Sequence, residues 1–144
     1  MVLTTAERAG ALSVEPGIAI RLRGVGQARV RPGLMPAAPL PAARRALEAS
    51  GLEIDRIDVV KTHNPYAVND IVFARETGID LDGMNNFGSS LIFGHPQGPT
   101  GLRLIIELIE ELVLRGGGLG LFTGCAAGDS AMAVVVEASD EGRA

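Results

Sequence analysis

Residues 100–114, TGLRLIIELIEELVL, place Leu102, Leu104, Ile105, Ile106, Leu108, Ile109, Leu112, Val113 and Leu114 around most of the circumference of a helix. A helix apolar on so many sides has to be packed between other elements. Its polar residues Arg103, Glu107 and Glu111 recur at i, i+4 and form one narrow stripe. Thr100 is the expected N-cap and Gly116 the expected stop. The chain therefore has to supply layers on either side of this helix, and its other segments are read against that demand.

IAIRLRGV alternates, with Ile18, Ile20 and Leu22 on one face and Arg21 and Arg23 on the other, which predicts a half-exposed strand. PLPAARRALEASG predicts a helix with Pro41 in its first turn and Gly51 as its C-cap. IDRIDVVKTHN predicts a strand centred on Val59 and Val60, and PYAVNDIVFARETG a helix from Pro65 to Gly78. LGLFTGCAAG and AMAVVVE predict a closing pair of strands around a small-residue turn at Gly128, Asp129 and Ser130. MVLTTAERAG reads as a strand end running into a short helix, broken by Pro16 and Gly17. The order β-α-β-α-loop-α-β-β predicts an α/β chain with a mixed sheet covered by helices on both faces.

At 144 residues the chain is one domain, large enough for a core without staples. A net charge of −4 with no Lys/Arg cluster argues against nucleic acid or an anionic membrane as the partner. A single cysteine excludes an internal disulfide and a C-x-x-C pair. No apolar run approaches the roughly 18 to 20 residues that a membrane span needs, and the first residues lack a secretory pattern, so a cytoplasmic location is expected.

Three residues could carry chemistry. In GHPQGPTG, glycines 94, 98 and 101 turn the backbone while Pro96 and Pro99 stiffen it, so His95 is held on a rigid loop at the start of the long helix. The free N–H groups of that helix end favour negative charge nearby. Cys125 stands where an apolar strand enters a turn of small residues, and His63 and Asn64 stand at a strand end, where α/β sheets usually place ligands. Each residue has an ordinary explanation, since a lone cysteine is commonly a small buried hydrophobe. Together, the chain's one cysteine and two histidines all fall at element ends. GVGQAR is set aside as a dinucleotide loop because prolines follow where a helix should begin.

The run from Asn85 to Gly101, N-x-x-G-x-x-x-x-x-G-H-P-x-G-x-[ST]-G, resembles the signature of the thiolase family, which makes or breaks a carbon–carbon bond beside a thioester. GCAAGDSAMAVVVE resembles that family's C-terminal cysteine motif. HNPYA sits where the family has its Asn/His-Glu-Ala-Phe-Ala block, and MPAAPLPAARRAL resembles its Met-Gly-x-Gly-Pro stretch. The four motifs keep the family's order over residues 18–137. The resemblance implies a thiolase-like βαβαβαββ half, with residues 1–144 as its C-terminal catalytic domain and 1–16 as a remnant or linker of a preceding half.

It also implies roles. His95 is the base that activates a nucleophilic cysteine and donates to a thioester oxygen. Cys125 is the acid/base at the α-carbon, and His63 helps to hold the water of that oxyanion site. Ala127 N–H, with Gly128, forms a second oxyanion site, supported by Asn64, Gly94 and Pro96. Coenzyme A thioesters are the substrates, with no permanently bound cofactor and no metal. The acyl-accepting cysteine and the loop domain are missing, which implies a partner chain carrying the N-terminal half, in a hetero- or homo-oligomer, and a large apolar face at the junction. The alternative is a non-catalytic acyl-CoA-binding or assembly subunit, and a fragment of a longer protein is a third expectation. The family's Glu-Ala-Phe is Asn-Pro-Tyr here, its paired glycines are Gly88 and Ser89, and its glycine triplet is Ala127, Gly128 and Asp129.

Overall fold

The computed structural model describes residues 1–15 and 17–140; Pro16, expected to break the chain, lies outside them. The elements are α1 (Ala6–Leu12), β1 (Ile18–Arg29), α2 (Pro39–Ser50), β2 (Val59–His63), α3 (Ala67–Thr77), α4 (Ser90–Phe93), α5 (Thr100–Leu114), β3 (Gly118–Ala126) and β4 (Ser130–Asp140). The sheet runs β1-β4-β3-β2, with β2 parallel to β3 and the other two pairs antiparallel. The place between α3 and α5 where the family's order has a further strand holds one parallel bridge, Val60 to Met84. The strand end expected at MVLTT does not form: residues 1–5 have no sheet partner among the described residues, and Thr5 instead caps α1 by accepting from Arg8 N–H.

Alternation along the strands divides two cores. On one face, Val60, Leu121, Ala131, Ala133 and Val135 meet Ala42, Ala46 and Leu47 of α2 and Phe73 and Ala74 of α3. On the other, Val59, Phe122, Val136 and Ala138 meet Leu104, Leu108 and Leu112 of α5. Small residues set the spacing of the first layer: a Cβ on Gly24 or Gly26 of β1 would collide with the carbonyl oxygens of Ala46 or Ala42. GVGQAR is thus the strand surface on which α2 lies, consistent with its rejection as a phosphate loop. Gly51 and Gly78 cap α2 and α3 in the left-handed conformation, as expected.

Two expectations require correction. Helix α5 is not enclosed, because its second layer is the sheet alone; Leu104, Leu108 and Leu112 face the sheet while Leu102, Ile106 and Leu114 are exposed. In β1 the register slips between Leu22 and Gly24, an irregularity of the bulge type that changes which residues face α2. The face of Ile20 and Leu22 is consequently not a buried one. Leu22 is 47% exposed, and it and exposed Val25, paired with Val136 and Val134, lie on the sheet face that carries α5.

Candidate active site

The site forms at the carboxyl ends of the parallel pair, where β2 ends at His63 and β3 reaches Cys125. His63 is in register with Gly124, and a Cβ there would come 2.7 Å from the Cβ of His63, so the glycine makes room for the imidazole. Sequence reasoning overlooked Gly124; its place beside Cys125 in a strand was the available signal.

His63 is buried and has protein partners at both ring nitrogens. Nδ1 lies 3.1 Å from the Cys125 carbonyl oxygen, and Nε2 lies 3.1 Å from His95 Nδ1. The two rings are 4.2 Å apart between centroids and tilted by 52°. His95 Nδ1 is also 2.9 Å from Thr100 Oγ1. Thr100 is therefore not the N-cap of α5: it is the first helical residue, Pro99 precedes it as cap without a side-chain bond, and its hydroxyl is turned to His95. Gly94 and Gln97, both at positive φ, bend the exposed loop around His95 and Pro96.

Cys125 is buried, with its Sγ 3.8 Å from His63 Nδ1 and within 3.7 Å of the Asn69 amide nitrogen, which donates to it from α3. His63 therefore touches both the His95 ring and the thiol. Burial pushes the Cys125 thiol up, with its own backbone and Asn69 opposing weakly. A thiol held this way is favoured in its protonated form. Ala127 and Gly128 lie on the exposed β3–β4 turn, where Gly128 and Asp129 take positive φ. Asp129 is committed to the fold, accepting from Gly33 N–H with its carboxylate and from Val30 N–H with its carbonyl.

Beneath the histidines, Asp70 in the first turn of α3 accepts hydrogen bonds from Thr62, Asn64 and Asn85. Asn64 in turn accepts from Ser90 N–H at 3.1 Å, and Asn85 accepts from Thr62 N–H at 2.8 Å. One carboxylate thus ties the end of β2 to the loop that carries His95. Asp70 and Asn69 were not singled out from the sequence, and Thr100 only as a helix cap, because nothing local distinguishes a helical Asp, Asn or Thr that faces a site.

Burial lowers the basicity of His63 most strongly, and His95 and the Arg103 guanidinium add repulsion, while the Cys125 carbonyl opposes. The unfolded chain then binds a proton that the native His63 resists. Stability is expected to fall as pH drops below about 6.5 and on through the lowered native value. Urea midpoints measured down that range should fall less steeply in His63→Gln.

The thiolase C-terminal domain family matches residues 17–138. The chain is 33% identical over 140 residues to an acetyl-CoA acetyltransferase of Syntrophomonas wolfei, covering 96% of this chain and 35% of that protein. It is 34% identical over 137 residues to a 3-ketoacyl-CoA thiolase of Bacillus subtilis, covering 95% of this chain and 34% of that protein. The crystal structure of the Bacillus anthracis acetyl-CoA acetyltransferase superposes with a TM-score of 0.83 at 31% identity, over 92% of this chain and 33% of that one. The chain spans about a third of the length of these relatives. With the fold, His63 and Cys125 placed at the strand ends with His95 against His63, and a match over most of its length, the chain belongs to the thiolase family, in the part that forms the C-terminal domain.

Proposed function

We propose that this chain is the C-terminal catalytic half of a thiolase-type acyl-CoA acyltransferase, working beside a polypeptide that carries the nucleophilic cysteine and the coenzyme A loop. One observation carries the reading: His95, His63 and Cys125 are joined within 3.8 Å or less through His63 at the ends of β2 and β3. His95, exposed on its loop, is the base toward the incoming thiol. Cys125, kept protonated by burial, returns or removes the proton at the α-carbon. The Ala127 N–H, with Gly128, faces the acyl-enzyme oxyanion, and fixed donors of this kind act where charge develops.

The partner reading is supported by the exposed apolar residues Leu22 and Val25, which their pairing with Val136 and Val134 puts on the sheet face that carries α5, and by exposed Leu102 and Ile106 on α5 itself. Exposed apolar residues grouped in this way mark an interaction surface. Residues 1–5, with Met1, Val2 and Leu3 exposed, would join the sheet of the partner half.

Co-expression with a thiolase N-terminal half should give a stable complex that cleaves acetoacetyl-CoA with free coenzyme A. The separated chains should not. A complex that binds acyl-CoA by titration but shows no turnover would replace this reading with that of a binding subunit.

A further inference from the structure

We propose that His63 is a positioning residue that locks His95 with hydrogen on Nδ1 and its lone pair on Nε2, so that the two rings behave as a unit holding at most one added proton. The assignment follows from the partners. A carbonyl oxygen only accepts, so His63 Nδ1, 3.1 Å from the Cys125 carbonyl, carries a hydrogen. A neutral imidazole has its other nitrogen bare, so His63 Nε2 is an acceptor. His95 Nδ1, 3.1 Å away, must then supply the hydrogen between them. Thr100 Oγ1 at 2.9 Å takes a second, shared acceptor position on the same N–H. The nitrogen left over on His95, the exposed member of the pair, is Nε2.

That His63 is neutral in the resting site is supported by its burial and by the Arg103 guanidinium near it, the charged group that bears on it from α5. Cys125 on β3 and Asn69 on α3 bring no charge while the thiol is protonated. A second added proton would set N–H against N–H across 3.1 Å, which the contact cannot accommodate.

The consequence for the reaction rests on the reading above; the tautomer does not. When a thiol gives its proton to His95 Nε2, an S–H bond breaks, an N–H bond forms and the electron pair stays on sulfur. The positive charge stays on exposed His95, because burial and the Arg103 guanidinium disfavour it on His63. The protonated His95 keeps its Nδ1 hydrogen on His63 Nε2 and offers the new Nε2 hydrogen to an oxyanion.

The test uses the 144-residue chain, or its complex, labelled with 15N-histidine, in long-range proton–nitrogen spectra between about pH 5 and 8. Both rings should show hydrogen on Nδ1 and a bare Nε2 at the upper end, and the pair should take up one proton on acidification. In His63→Phe the His95 tautomer should be released, whereas Thr100→Val should keep it. A wild-type His95 with hydrogen on Nε2 at high pH overturns the proposal, as does uptake of two protons, or loss of the tautomer in Thr100→Val with retention in His63→Phe. The wild-type spectrum decides even if His63→Phe does not fold. The expected spectrum in a complex without thiolysis would leave this assignment standing and remove the thiolase reading instead.

Discussion

His95→Ala in the reconstituted complex should lower kcat for thiolysis by about 10²- to 10⁴-fold, the contribution of a positioned general base, with little change in KM. The imidazole is held on an exposed loop fixed by Gly94, Pro96 and the Thr100 hydroxyl, and in the proposed mechanism it is the base that receives the thiol proton. Losing it removes both thiol activation and the donor that the protonated ring offers to an oxyanion. Cys125→Ala should affect a different step: a single-turnover assay with acetyl-CoA as the acyl donor should still show acylation of the partner's cysteine, while exchange of the α-hydrogen should cease. A His95→Ala complex with near-normal kcat would refute the assignment, and stopped-flow measurement of coenzyme A consumption checks it.

Glu111→Ala should cost about 3–5 kcal/mol of stability, the loss expected when one member of a buried ion pair is removed. Lys61, on the α5 side of β2, is 0% exposed, and its Nζ lies 3.7 Å from Glu111 Oε2 with the Phe87 ring 5.0 Å away. The other carboxylate oxygen of Glu111 accepts from Asn86 at 2.7 Å and from Arg115 at 2.8 Å. Removing the carboxylate therefore strands an ammonium in the core and releases two donors. Burial already lowers the Lys61 pKa, with Glu111 and then Glu107 opposing. Below the ordinary lysine value of 10.5 the unfolded chain holds a proton that the native Lys61 resists, so the deficit in Glu111→Ala should shrink as pH rises toward it. The double replacement Lys61→Met with Glu111→Leu should return to within about 1 kcal/mol of the parent, since well-packed apolar substitutes for buried pairs are commonly neutral or better. Urea unfolding of the two variants and the parent checks this; a loss below about 1 kcal/mol in the single variant would show the pair to be solvated.

The elements were legible where one residue's chemistry decides the outcome. Gly51 and Gly78 ended α2 and α3, and the adjacent Val59 and Val60 marked β2. The three chemical residues were legible as a set because each stood at an element end. What failed to show depended on tertiary contact. The apolar girdle of α5 reads as burial on all sides, but which side meets the sheet is decided by Gly120, where an added Cβ would sit 2.7 Å from Leu108 Cδ1. Glu111 appeared only as part of a charged stripe, because its partner Lys61 lies fifty positions away on another element. Thr100 was read as a cap because local rules reward that use of a hydroxyl, and the competing partner, His95, is brought to it by the loop between them. The slip in β1 at Arg23 has no local signature in an alternating run.

That slip lets a single strand serve two faces: its later half seats α2 through Gly24 and Gly26, while its earlier half leaves Leu22 exposed on the sheet face that carries α5. Substituting Arg23, or changing the length of the chain there, would therefore alter two contacts at once, the internal seat and the oily seam. Drift at this position is constrained from both directions, although it lies in a different strand from every reacting group.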